Sequence, residues 1–175
     1  MSVRDNIIHA FSEWTAFSAT RSGCPIKARN SVYPLIRIPF YSRILNGPEI
    51  EAKEFDEWHW ESTTAITKAE PRLPVGWAAK LINIYLKTTV YIANKGRPNL
   101  IRCIHPPIDN ELWKGILNEY RESEDIISKT HIVKRIKDID TYDKYSTIID
   151  GCRMVAERRG CFLIEVEELW QGNVL

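Results

Sequence analysis

The sequence predicts an all-α fold: one multi-helix domain over residues 1–175, built round a buried central helix at about 74–93. Three observations lead there. Apolar residues recur at three-to-four spacing over 3–20, 109–120 and 140–159, which is the helical period. Alternating apolar and polar stretches, the mark of half-buried strands, are nearly absent. Finally, the run from Pro74 to Ile92 is apolar almost throughout, opens on Pro and Gly, and stops before Asn94, Gly96 and Pro98. A helix apolar nearly all round is buried.

Taken in order, the first helix covers 3–20, with Val3, Ile7, Ile8, Phe11, Trp14 and Phe17 expected inward. Residues 21–30 read as a loop. Pro34 and Pro39 break the next stretch, so only a short helix near Phe40–Leu45 is expected, closed by Asn46-Gly47-Pro48. An acidic helix follows Pro48 and carries Trp58-His59-Trp60. It continues or restarts over Thr63–Lys68, and Pro71 and Pro74 then separate it from the central helix. Residues 94–108 read as a loop, and one minor strand pair is allowed around 100–104 or 131–134. Asp109 is an N-cap for the helix bearing Leu112, Trp113, Ile116, Leu117 and Tyr120. Residues 121–129 read as a loop or frayed end. Asp140 is the expected cap of a helix through Arg159, with Tyr142, Tyr145, Ile148, Ile149, Cys152 and Val155 inward and Gly160 as its stop. Residues 162–170 read as a helix or an edge strand, and the three-to-four period of Leu163, Val166, Glu167 and Trp170 favours the helix.

Composition narrows the function classes. Hydrophobic content is 44%, charged content 27%, and the net charge is +1. That is ordinary for a globular domain and gives no global case for nucleic acid or membrane. The charged opening Met1–Asp5 lacks a signal-like apolar core, and Lys80 and Lys87 interrupt the best candidate span. Cys24, Cys103, Cys152 and Cys161 form no C-x-x-C pair. They read as reduced thiols of a cytoplasmic protein, with no metal and no cofactor implied.

Three groups could carry chemistry. Lys80, Asn83 and Lys87 fall at i, i+3 and i+7 on the central helix, followed by His105 and Asp109. Such a stripe meets either water or a partner. A lysine that is desolvated beside a second cation becomes a nucleophile. A second group is the run Lys68, Arg72, Lys80, Lys87, Lys95, Arg97 and Arg102, with Glu70 its only acid, which could neutralise phosphates or be paired internally. The third is His59 with Trp60, either a stacking wall for a base or a set of core anchors. No P-loop, dinucleotide fingerprint or nucleophile elbow is present.

Two resemblances arise at these residues. The pattern Ala79-Lys80-x-x-Asn83-x-x-Leu86-Lys87, then His105-x-Pro107-x-Asp109, resembles one shared by small uncharacterised bacterial helical proteins, which tend to have Gln where this chain has Ala79. It implies no particular activity. Leu73-Pro74-Val75-Gly76, the lysine-bearing helix, and Pro107-Ile108-Asp109-x-x-x-Trp113 are similar to the core of the helix-hairpin-helix DNA glycosylases. That resemblance covers about residues 73–113. It implies a nucleic-acid partner and base excision, with Lys80 as nucleophile, Asp109 as assisting carboxylate and Gly76 in a phosphate-holding hairpin. Asn83, Lys87, His105, His59 and Trp60 complete the expected binding set. The chain has one hairpin Gly rather than two, places Lys80 further into its helix, and lacks the cysteines of an iron–sulfur site. The alternative is a non-catalytic helical domain that binds a protein partner through the stripe and the acidic segment.

Overall fold

The computed structural model describes residues 2–21, with only the backbone of Arg21, and 23–172, and it is all-α. The helices are α1 (Val3–Ser18), α2 (Arg29–Ile36), α3 (Ser42–Leu45), α4 (Ala52–Ala69), α5 (Val75–Leu86), α6 (Leu100–Cys103), α7 (Asn110–Tyr120), α8 (Glu124–Thr130) and α9 (Tyr142–Arg159). Short 3₁₀ turns occupy Ala19–Arg21 and Ile136–Asp138, and a longer 3₁₀ tail runs over Leu163–Leu169. No strand occurs among the described residues. The strand pair allowed at 100–104 or 131–134 is replaced by α6 and by a bend before the 136–138 turn.

The central helix sits where its sequence requires. From Gly76 to Leu86 every side chain of α5 is buried except Lys80 and Ile84. α1, α2, α4 and α9 pack round it. Leu81, Ile82 and Leu86 are fully enclosed, each contributing about 1.5–3 kcal/mol of apolar burial. The helix does not stop at Leu86. It widens into a π-helical stretch, Lys87–Ile92, in which Ala93 N–H reaches back five residues to the Thr88 carbonyl.

Gly76 is fixed by packing, not by a phosphate hairpin. A Cβ there would run into the Ile136 carbonyl and lie 2.9 Å from Ile139 Cβ. Its N–H is already donated to the Ile139 carbonyl at 3.0 Å, so it cannot hold a phosphate. The expected hairpin role of Gly76 is therefore corrected.

α1 is turned the other way from its hydrophobic pattern. Val3 is 76% exposed, Ile7 63%, Phe11 51% and Trp14 49%. The face against the core is polar: Ser12 Oγ bonds Thr89 Oγ1 and Thr15 Oγ1 bonds Thr88 Oγ1, at 2.8 and 2.9 Å. His9 Nδ1 meets Tyr85 hydroxyl at 2.7 Å, and buried Glu13 takes the Arg37 guanidinium. The π-helical widening presents two adjacent threonines to α1, and α1 answers with hydroxyls.

Three smaller expectations are also corrected. α2 forms across Pro34, whose missing N–H leaves the Asn30 carbonyl without its helical partner. Residues 124–130 are α8, held by buried Ile126 and Thr130 against α9. Thr141, not Asp140, caps α9, accepting Lys144 N–H at 3.3 Å, while Asp140 pairs with the Lys144 ammonium. Gly160, at φ 64°, ends α9 in the left-handed conformation expected of it.

Candidate functional site

Asp109 follows the Pro106-Pro107 pair and caps α7. Its Oδ1 accepts the N–H groups of Glu111 at 3.1 Å and Leu112 at 3.0 Å. The cap fixes the carboxylate at the end of a cleft of about 1120 Å³ between α5, the start of α7 and the 3₁₀ tail. Lys80 Nζ lies 3.1 Å from Asp109 Oδ2, and Trp170 Nε1 donates to both carboxylate oxygens at 3.0 and 3.1 Å. The Lys80 ammonium also stands 5.3 Å from the centre of the Trp77 ring, within cation–π range.

Two helical turns on, Lys87 Nζ meets Glu167 Oε1 at 2.6 Å. Glu167 belongs to the 3₁₀ tail. Burial pushes its carboxyl above the usual range, the neighbouring Asp109 charge adds to this, and Lys87 opposes it. Sequence reasoning gave Glu167 no role, since nothing local marks a carboxylate whose partner lies in another helix. Beyond it, Glu165 accepts Tyr91 hydroxyl at 3.0 Å and Phe162 N–H at 2.7 Å, and Glu168 accepts Arg159 at 2.6 Å. Trp77, Ile84, Ile164 and Trp170 give the cleft its apolar walls. Cys161 also borders it, but burial and Glu165 push its thiol up, away from the reactive thiolate.

The lining therefore holds two lysines against five carboxylates: Asp109, Glu111, Glu165, Glu167 and Glu168. Both lysines are already paired, with Asp109 and Glu167, and Glu111 and Glu168 pair with Lys114 and Arg159, which leaves Glu165 without a cation among the described residues. The rest of the basic run is similarly occupied. Arg72 pairs with Glu70, Lys95 with Asp5, and buried Arg97 with Glu54, while Arg102 stacks on Phe162 at 5.0 Å. Only Lys68 in that run lacks such a partner among the described residues.

The other expected site residues lie elsewhere. Asn83 is buried, about 60° round the helix from Lys80 at the α-helical 100° per residue. Its amide is saturated: Oδ1 accepts His59 Nε2 at 2.9 Å, and Nδ2 donates to the Pro106 carbonyl at 3.1 Å and Tyr145 hydroxyl at 2.8 Å. His105 joins the same chain, with Nε2 on Asp56 Oδ1 at 2.9 Å and Nδ1 on Tyr145 hydroxyl at 3.0 Å. Arg153 closes the far end on Asp56 at 2.7 Å.

The proton positions follow from the partners. Asp56 only accepts, so His105 Nε2 donates, its Nδ1 accepts from Tyr145, Tyr145 accepts from Asn83, and His59 Nε2 donates to Asn83. Both imidazoles are neutral in this pattern. Burial pushes both below the ordinary histidine value, His59 furthest. Asp56 is drawn up by burial but held below its usual range overall by His105 and Arg153. This network sits behind α5, away from the cleft, and fixes Pro106 and hence the approach to Asp109. Trp60 is exposed on the outer side of α4 and forms no wall with His59.

Among the described residues no group of three or more His, Cys, Asp or Glu is placed to hold a metal ion, and no helix is long and apolar enough to cross a membrane. The chain matches no family model, and no curated protein and no solved structure matches it.

Proposed function

We propose that the protein is a non-catalytic recognition domain whose cleft receives a basic, partly apolar segment of a protein partner. One observation carries this: the cleft lining holds five carboxylates and two lysines between walls containing Trp77 and Trp170, and Glu165 faces it with no cationic partner among the described residues, while Glu111 and Glu168 hold only the solvent-side Lys114 and Arg159. A phosphate backbone would meet repulsion there, whereas a lysine or arginine side chain gains carboxylate partners and an aromatic face. The test is calorimetric titration with short peptides carrying spaced lysines or arginines among apolar residues, with acidic counterparts as the control. Basic peptides bind, and the affinity falls as salt rises. The double substitution Glu165→Gln with Glu168→Gln weakens binding about three- to tenfold, as expected for rim charges. Equal heats from acidic and basic peptides would overturn the proposal.

A second reading is favoured by the contact between Lys80 and Asp109 inside the cleft. In a base-excising enzyme of the helix-hairpin-helix kind, the deprotonated lysine amine attacks C1′ of the sugar, the base leaves with the glycosidic electron pair and takes up a proton, and opening of the sugar ring at O4′ gives the imine. Asp109 is the adjacent acceptor for the lysine's proton. Borohydride would then trap the chain on an oligonucleotide containing an abasic site, and Lys80→Gln would abolish the trapped species. Absence of any oligonucleotide retention at low salt removes this reading.

A further inference from the structure

We propose that α1 is a homodimerisation element, pairing antiparallel with α1 of a second copy of this chain across a two-fold axis between Ile8 and His9. The outward face of α1 carries Val3, Ile7, Ala10 and Trp14, all exposed, at spacings of four, three and four. That is the spacing of a coiled-coil seam. Phe11 flanks it, stacked on Trp14 with ring centres 5.6 Å apart. Amphipathic helices normally turn this stripe to their own core. Here the opposite face does that work through Ser12, Thr15, His9 and Glu13, so the seam is left for something outside the chain.

The seam is complementary to itself. In the antiparallel pair, Val3 lies opposite the second copy's Trp14 and Ile7 opposite its Ala10, a large residue facing a small or medium one in each case. Asn6 meets Phe11, and no like charges are brought together on the seam. The same patch serves both copies, as a two-fold interface demands. Val3, Ile7, Phe11 and Trp14 are 76%, 63%, 51% and 49% exposed and present on the order of 450 Å² per copy, so the pair covers about 900 Å² before flanking residues are included, the size of a weak, concentration-dependent contact. A lipid surface fits less well. Arg4 is the only Lys or Arg on α1, where a membrane-lying helix carries a basic fringe.

The test is sedentation-equilibrium mass measurement by analytical ultracentrifugation of the whole chain over a concentration series. The expected result is a monomer–dimer equilibrium whose dissociation constant rises at least tenfold in Ile7→Glu and in Trp14→Glu. Ala10→Trp, which occupies the space the second copy's Ile7 needs, has the same effect. All three positions are exposed, and circular dichroism that matches the parent chain confirms that each variant folds. A single-chain mass at every concentration overturns the proposal, as does a dimer indifferent to all three substitutions. A monomer that floats with phosphatidylserine vesicles overturns it in favour of a membrane surface.

Discussion

Lys80 and Asp109, 29 positions apart in the chain, meet at 3.1 Å at the end of the cleft, and the aspartate that holds the lysine also caps α7 and takes the Trp170 indole N–H. One carboxylate thus ties the central helix, the helix after it and the C-terminal tail together.

The two ends of this pair have unequal weight. Asp109→Ala removes the cap, the indole acceptor and the ion pair at once, and is expected to cost about 2–4 kcal/mol. Lys80→Met keeps the cap and the indole bond, and is expected to cost about 1 kcal/mol or less. Urea unfolding of the two variants checks the order. Equal losses would mean that the cap and the indole bond add nothing.

Gly115 is where the tail crosses α7. A Cβ there would fall inside the Leu169 carbonyl and 3.1 Å from Leu169 Cβ, so Gly115→Ala forces the tail off the helix. The expected cost is about 1–3 kcal/mol, with Trp170 moving into water. Thermal unfolding and a red shift of the tryptophan emission read both effects.

Stability is expected to depend on pH through His59 and His105. Both are held neutral in the folded chain, with pKa values below the ordinary 6.5 that they regain on unfolding. The unfolded chain therefore binds more protons below pH 6.5, and their contribution is present above that pH and lost as pH falls. One proton's difference corresponds to about 1.4 kcal/mol per pH unit, and His59, the more strongly lowered of the two, contributes most of the slope. Denaturant midpoints from pH 8 to 5 measure it, and His59→Gln flattens the curve.

Asn83→Leu is expected to be among the most damaging single changes. It leaves His59 Nε2 and the Pro106 carbonyl without partners in a buried place and takes from the Tyr145 hydroxyl its donor, leaving it only His105, at about 2–5 kcal/mol. Asn83→Ala is no milder. A chain that tolerated either with an unchanged midpoint would show that water had taken over the network.

Lys87→Met is expected to raise the Glu167 carboxyl further, because burial and Asp109 already push it up and only Lys87 and the more distant Lys80 oppose them. A carbon-13 titration of the glutamate carboxyls follows it directly.

The long helices were legible because their periods are long and their stops are Gly and Pro: α5 with Asn94 and Gly96 behind it, α9 with Gly160. The cap at Asp109 was legible from one residue and its neighbours. What escaped were relations between distant segments. The polar face of α1 was unreadable as a core face because its partners, Thr88 and Thr89, are turned outward from α5 by a π-helical stretch that no residue pattern announces. Asn83 was grouped with Lys80 and Lys87 on spacing alone, yet a 60° offset on a fully surrounded helix separates cleft from core. α2 was hidden by Pro34, whose local preference the surrounding packing overrides.

The 3₁₀ tail over Leu163–Leu169 brings a second consequence. The acids that face Lys87 and border the cleft are among the last parts of the described chain to leave a ribosome, while the lysines emerge some eighty residues earlier. During synthesis the helical scaffold can therefore close before the cleft wall over Leu163–Leu169 exists. A nascent chain stalled shortly after Gly160 would hold the helical body with Lys87 still lacking its carboxylate and the cleft open along one side.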